Sequence, residues 1–155
     1  MTRVSGIRAT KVPKADSIHA MRKSCAETMA DYRIGATRED TVEVGNDNAI
    51  RFLESARVLS TPQMILFMER TSRNLILPML DPGHDTVGTH VNVAHRAAAP
   101  MGSKVTFFSE LLAVNDRRAE FRVQARMGDK IVGEGTHQRA IIEVARFAEK
   151  VKNGG

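Results

Sequence analysis

Residues 60–80 read STPQMILFMERTSRNLILPML, and this stretch decides the fold. Apolar side chains recur in it at steps of three and four residues, which is the period of an α-helix. Additional apolar residues widen the stripe, so we expect the helix to be covered on most sides. Ser60 or Thr61 can cap its first N–H groups, and Pro62 suits the first helical turn. The stretch therefore predicts one long, largely buried central helix.

Glu69 is the unusual residue of this helix, because it follows Met68 in the middle of the apolar segment. Burying a carboxylate is costly unless the group has a partner or takes part in chemistry. From the residues alone, a satisfied structural carboxylate and a catalytic group explain Glu69 equally well. It is the first candidate for a catalytic residue.

The chain after the helix alternates apolar and polar residues, which is the period of β-strands. After the helix we predict strands over 86–95, 104–114, 119–126 and 130–144, and a short helix or tail over 146–152. Before the helix we predict a strand over 41–44 and a strand, helix or lid over 49–59. Strict alternation along 86–95 puts His95 on one face and Gly88 on the other. One long helix wrapped by an antiparallel sheet is an α+β layer structure, the hotdog architecture.

The 155 residues suffice for one ordinary domain, which we place at 37–155. We predict that residues 1–36 form an arm followed by an amphipathic helix, because Ile18, Met21, Cys25, Met29 and Tyr32 recur at helical steps. The free edge of the sheet and the ends of the central helix are available to a two-fold partner, so we expect an even-numbered oligomer.

Composition narrows the function classes. The net charge is +5, but basic residues do not cluster with aromatic residues or a known motif, so we expect no nucleic-acid partner. A modest positive charge suits a polyanionic small molecule such as a coenzyme A ester. The single Cys25, the lack of a membrane-length apolar run and the lack of a signal peptide predict a cytoplasmic protein without a membrane partner. No cluster of histidines and cysteines has metal-ligand spacing, so no metal is expected.

Five segments carry a resemblance to a known family: TPQMILFME (61–69), LDPG (80–83), VGTHVNVAH (87–95), AAAPMG (97–102) and GEGTHQRAI (133–141). In order and spacing they resemble the fluoroacetyl-CoA thioesterase-like branch of hotdog thioesterases, over about residues 41–150. The resemblance implies hydrolysis of an acyl-CoA thioester to the free acid and coenzyme A, without metal or cofactor. The lid segment 49–60 differs from that of the specialised enzyme, so we expect a small or medium acyl group.

The resemblance also implies the site residues. The family's catalytic threonine, glutamate and histidine match Thr61, Glu69 and His95, and the backbone amide that holds the thioester oxygen matches Gly88. Arg96 can reach the phosphates of coenzyme A. These types suit thioester hydrolysis, which needs an activated nucleophile, a proton relay and oxyanion donors. Whether Thr61 or Glu69 acts as nucleophile or base stays open.

The spacing of Thr61 and Glu69 raises a geometric problem. Eight residues of helix separate them by about 12 Å along the axis, which is too far for a direct bond. Either the helix begins after Thr61 and the chain folds back, or the site is completed across a dimer interface. We expect the second, in a homodimer alone or within a dimer of dimers. The alternatives are a non-catalytic acyl-CoA-binding hotdog module and an enoyl-CoA hydratase that uses Asp85 and His90. His137 and His90 are expected to be structural.

Overall fold

The computed structural model describes residues 31–50 and 55–154 of the chain. In chain order its elements are strand β1 (Thr37–Glu43), helix α1 (Thr61–Ile76) with a 3₁₀ turn at Leu77–Met79, strands β2 (His84–His95), β3 (Lys104–Asn115), β4 (Arg118–Met127) and β5 (Lys130–Glu143), and helix α2 (Val144–Lys152). The predicted arm and N-terminal helix fall largely within 1–30, outside the described residues. That division of the chain stays a prediction.

The five strands form one antiparallel sheet in the order β1-β3-β4-β5-β2. Tight turns join β3 to β4 and β4 to β5, whereas the chain crosses the sheet between β2 and β3. Strands β1 and β2 are consequently the two edges. The predicted order of one strand, one helix and four further strands is confirmed.

Helix α1 packs its apolar side onto the inner face of the sheet. Met64 and Met68 are fully buried there, and the Phe67 ring lies 5.2 Å from that of Phe107 on β3. The Ser72 hydroxyl donates to the Met68 carbonyl oxygen and shares a hydrogen bond with Ser109, so a buried polar pair also joins the helix to β3. The helix is therefore fixed along its length, and its remaining side is directed towards β2.

The predicted capping of α1 is wrong. Ser60 occupies the N-cap position with an extended backbone, but its side chain makes no capping hydrogen bond. Thr61 is the first helical residue, and its hydroxyl bonds His95 instead. A polar partner from another element has replaced the local cap.

The strict alternation predicted for β2 is also wrong. The register with β5 shifts between Gly88 and His90, so Thr89 is an extra residue in a β-bulge. The bulge brings Gly88 onto the same inner face as Val91, Val93 and His95. Periodicity cannot reveal this feature, because a bulge changes the pairing and leaves the residue pattern intact.

The interval 49–59 contains only isolated antiparallel bridges where it is described, from Ala49 to Leu59 and from Val58 to Pro100. The first bridge joins the two ends of the interval, and the second attaches it to the loop after β2. At the other end of the chain, α2 is exposed along its whole length, as predicted. Among the described helices, none is long and apolar enough to cross a bilayer.

The adjacent residues Phe107 and Phe108 provide a matched test of this packing. Phe107 is fully buried against α1, whereas Phe108 is half-buried on the outer face beneath Arg122. We expect Phe107→Ala to lower the free energy of unfolding by about 3–5 kcal/mol. Phe108→Ala should cost no more than about 2 kcal/mol. Urea unfolding at one fixed protein concentration measures both, and equal losses would contradict the assigned faces.

Candidate active site

Thr61 and His95 form the first part of the candidate site. The Thr61 Oγ1 atom lies 2.8 Å from Nδ1 of His95. Thr61 is exposed at the start of α1 and His95 is half-buried at the end of β2, so two elements distant in sequence meet here. A hydroxyl within hydrogen-bond distance of an imidazole is the arrangement in which a base can activate a nucleophile.

Glu69 and Gly88 form the second part. A Cβ atom built on Gly88 would lie 2.2 Å from Oε1 of Glu69 and 3.3 Å from Cε1 of His137. No side chain fits in that space, so the carboxylate lies directly over the backbone of Gly88. The Glu69 side chain is 32% exposed and can still reach water or a ligand. Gly88 is also exposed, on the free edge of the sheet.

His137 lies behind Glu69 and is only 1% exposed. Its Nδ1 atom is 2.9 Å from the carbonyl oxygen of His90, which can only accept, so Nδ1 carries a proton. Its Nε2 atom is 3.1 Å from Nη1 of Arg139, which can only donate, so Nε2 carries a lone pair. Burial lowers the pKa of His137, and the Arg139 charge lowers it further. The ring is therefore neutral, and its 3.7 Å approach to Glu69 is not an ion pair.

Arg139 completes this cluster from the same strand. It is 5% exposed, and burial lowers the pKa of its guanidinium, an effect that the neighbouring Glu69 carboxylate opposes. Besides His137, it donates to the hydroxyl and carbonyl oxygens of Thr86 and to the carbonyl oxygen of Glu69. The guanidinium is thus built into the fold beside the carboxylate.

The two parts of the site lie at separate points along β2 in one chain, one at Gly88 within the strand and one at its last residue, His95. Helix α1 runs antiparallel to the strand, so Thr61 lies over His95 while Glu69 lies over Gly88. Thr61 and Glu69 remain about 12 Å apart along the helix axis. Each chain therefore contains two separate half-sites, and the predicted trio does not converge within it.

Arg96 lies apart from both half-sites. Its Nε atom is 2.7 Å from Oε1 of Glu134, and it lines a shallow groove on the outer face of the sheet. Its neighbour His95 faces the other way, towards Thr61. A role for Arg96 in binding phosphate stays a prediction and would require the ion pair with Glu134 to open.

Asp85, one member of the predicted hydratase pair, is already engaged. The Arg73 guanidinium binds both of its carboxylate oxygens, and the Thr86 amide donates to one of them. These contacts hold the pKa of Asp85 below its usual value, with the Arg73 hydrogen bond as the largest cause. The carboxylate is a structural link between α1 and β2. Within 31–50 and 55–154, no group of three or more histidine, cysteine, aspartate or glutamate residues could hold a metal ion.

Sequence reasoning did not find the role of His137 and missed Arg139 altogether. A usable signal existed in the segment GTHQRAI at 135–141. Alternation in β5 places His137 and Arg139 on the same inward face as the buried Ile141. Two inward polar residues in a core strand need partners, and that need points to a functional or structural cluster.

Comparison with known proteins gives a consistent result. The family model described as fluoroacetyl-CoA-specific thioesterase (FlK) matches residues 36–145. The fluoroacetyl-CoA thioesterase of Streptantibioticus cattleyicolor is 40% identical over 101 residues, which cover 65% of this chain and 73% of that protein.

Solved structures agree with the sequence comparisons. A structure of the fluoroacetyl-CoA thioesterase FlK superimposes with a TM-score of 0.75 and 33% identity, over 80% of this chain and 98% of the other. A hot-dog-like protein from Thermanaerovibrio acidaminovorans shares the fold, with a TM-score of 0.72 and 21% identity over 80% of this chain and 94% of its own. The predicted hotdog fold and thioester hydrolase activity are confirmed, and the chain belongs to the fluoroacetyl-CoA-specific thioesterase family.

Proposed function

We propose that the chain hydrolyses small or medium acyl-CoA thioesters in a site shared by two copies of the chain. The observation that carries this proposal is the hydrogen bond between Thr61 and His95 at the end of β2, with Glu69 held over Gly88 further back along the same strand. Each half supplies part of the chemistry of thioester hydrolysis, and neither is complete alone.

The free edge of β2 supports a homodimer. The residues Gly88–Asn92 are all exposed in the middle of this strand, although a covered strand would alternate. An edge strand presents unpaired backbone groups that another strand can bind. Leu66 on α1 is also 49% exposed. We propose that β2 pairs with β2 of a second copy.

Antiparallel pairing about a two-fold axis would complete two sites at once. The Gly88 end of each strand would meet the His95 end of its partner, because the two copies run in opposite directions. Both residues lie on the inner face of the sheet, and an axis perpendicular to the sheet preserves that face. Thr61 and His95 of one copy would then face the partner's Glu69 and the partner's Gly88.

In the route that we propose, Thr61 is the nucleophile. Its Oγ bonds to the acyl carbon, its proton passes to Nδ1 of His95, and the C–S bond breaks. The thiolate of coenzyme A takes this proton as it leaves. Water then attacks the acyl-threonine ester while the partner's Glu69 accepts a proton. That proton returns to the threonine oxygen as the C–O bond breaks.

The partner's Gly88 would supply the oxyanion donor. A backbone N–H beside a residue without a side chain can approach a carbonyl oxygen closely. A donor fixed by the sheet needs little reorganisation when charge develops on that oxygen. The second route uses the same residues, with Glu69 activating water directly and Thr61 only orienting the thioester.

The substrate class follows from the family and from charge. Coenzyme A esters are polyanions, which suits the net charge of +5, and Arg96 could contact their phosphates if its ion pair with Glu134 opened. The lid segment 49–60 is not among the segments that carry the resemblance to the family, and on that ground we propose a broader range of small or medium acyl groups. We place the enzyme in the cytoplasm, where Cys25 stays reduced.

Replacement of Glu69 by Gln tests the role of the carboxylate. We expect kcat to fall about 10²–10⁴-fold, because the amide cannot accept the proton of water. A free-thiol assay over a panel of acyl-CoA esters measures the loss. Glu149→Gln on the exposed helix α2 is the control and should keep wild-type turnover. Wild-type turnover in a folded Glu69→Gln variant would rule out Glu69 as a catalytic group.

The shared site can be tested by complementation. Thr61→Ala and Glu69→Gln chains, each inactive alone, are co-expressed with different tags and purified through both tags. The mixed dimer has one intact site and one doubly defective site, so we expect about half of the wild-type activity. A dimer of Thr61→Ala with the double variant has no intact site and is the control. Activity no higher than this control would show that the two halves do not join across subunits.

The two chemical routes differ in their intermediate. If Thr61 is the nucleophile, quenched wild-type enzyme should carry one acyl group on the peptide that contains Thr61, as measured by mass spectrometry. Glu69→Gln should increase this adduct, because acylation proceeds and deacylation is slowed. Thr61→Ala should carry none. Absence of the adduct in Glu69→Gln, with Thr61→Ala still active, would favour direct attack by water.

A further inference from the structure

Met64 is the first buried residue of helix α1, and no step of the proposed reaction uses it. It follows Thr61 by three residues and is fully buried, whereas Thr61 is exposed. Residues three apart are neighbours on one side of a helix, and helical side chains lean towards the N-terminus. The Met64 side chain therefore lies on the core side of the Thr61 half-site.

The thioether of Met64 lies directly on the backbone of strand β5. A Cβ atom built on Gly133 would lie 2.5 Å from Sδ and 2.8 Å from Cε of Met64. Gly133 is the residue of β5 that pairs with His95. The thioether is thus placed beside His95, in space that exists because position 133 has no side chain.

The inner face of the sheet is recessed next to His95. The row of paired residues that begins at His95 continues through Gly133 and Ala125 to Phe107. Paired residues share one face of a sheet, and Ala125 and Phe107 are both fully buried on the inner face. Two small residues between a histidine and a phenylalanine leave a recess, and Met64 occupies its His95 end.

An acyl group delivered to Thr61 would begin at the mouth of this recess. The Thr61 Oγ1 atom is 2.8 Å from Nδ1 of His95, which borders the recess. A short acyl chain fits without movement of Met64, whereas a longer chain must displace the thioether. Methionine is unbranched and flexible, so it can yield partly to an apolar chain.

We propose that Met64 is the specificity-determining residue for acyl chain length, because its thioether closes the inner end of the acyl pocket beside His95. This inference rests on the proposed function and deepens it by naming the side chain that limits the substrate. Gly133 is its counterpart on the sheet. A side chain there would displace the thioether into the space that the acyl chain needs.

Met64→Ala tests the proposal with straight-chain esters from acetyl-CoA to decanoyl-CoA. We expect the kcat/KM ratio of hexanoyl-CoA to acetyl-CoA to rise about tenfold or more, because one methylene in an apolar pocket changes such a ratio by about 10–200-fold. Met68→Ala is the control, since it truncates a second buried methionine one helical turn farther from Thr61, and it should leave the ratio unchanged.

An unchanged ratio in folded Met64→Ala, or an equal rise in Met68→Ala, overturns the proposal. Met64→Val removes less volume from the core and applies the same test if the alanine variant does not fold.

Gly133→Ala should change the pocket in the opposite direction. Its new Cβ would displace the flexible end of Met64, so we expect the same ratio to fall about tenfold. In the double variant Met64→Ala/Gly133→Ala the added methyl group has room, and the ratio should recover at least to that of the wild type. Independent packing defects would not compensate in this way. A double variant with a ratio as low as that of Gly133→Ala overturns the proposal.

Non-hydrolysable S-alkyl thioethers of coenzyme A give a second readout that needs no turnover. Calorimetry should show that Met64→Ala increases the preference for the hexyl over the ethyl thioether. If the wild type hydrolyses no ester of the panel while the thioethers show this change, the proposed function fails and the pocket stands. If the esters are hydrolysed but the thioether preference is unchanged, the proposed function stands and the role of Met64 is overturned.

Discussion

The antiparallel contact between α1 and β2 governs the rest of the structure. Two of the contacts between the helix and the strand belong to the candidate site, Thr61 on His95 and Glu69 on Gly88, and the Arg73–Asp85 ion pair is a third. Packing against the other strands fixes the distance between the helix and the sheet. The absence of a side chain at Gly88 lets the Glu69 carboxylate approach the backbone of the sheet. Because both contacts of the site lie along the free edge, the chemistry of the molecule is placed where a second molecule can reach it. The division of the site into halves follows from this one alignment.

Much of the fold could be predicted because burial leaves a periodic trace in the sequence. The central helix and the four strands after it were found from steps of 3.6 and 2 residues, with ends that differ by one or two residues at most positions. Periodicity does not reveal a change in the pairing register between two strands. The extra residue Thr89 exchanges the two faces on which the residues before it lie, and only the pairing of β2 with β5 reveals this change. The capping prediction failed for a similar reason, since the partner of Thr61 lies 34 residues away.

Some residues of the candidate site could likewise be predicted from the sequence, and others could not. Glu69 was a candidate from its place in the apolar helix, and a resemblance, which supplies residue types in order, added Thr61, His95 and Gly88. The helical rise indicated that Thr61 and Glu69 could not meet within one chain. Two of the four hydrogen bonds of Arg139 go to main-chain oxygens, which are the same at every position in a sequence and so give no signal in it. Its neighbour His137 was expected to be structural, and its lone pair and proton are both occupied by protein groups. The His137 ring is neutral because of the groups around it, and the spacing of residues in the sequence does not predict those contacts.

The opposite edge of the sheet has a consequence for assembly. Strand β1 carries Arg38, Glu39 and Asp40 in succession, with Arg38 bound to Asp40 and Glu39 bound to Arg126 of β4. Charged side chains of this kind discourage a further strand from adding to an edge. In the homodimer that we propose, β2 would be the edge that pairs and β1 the edge that resists pairing. Edge-to-edge addition of further copies would then stop at two chains, which would protect an open sheet from forming a fibre.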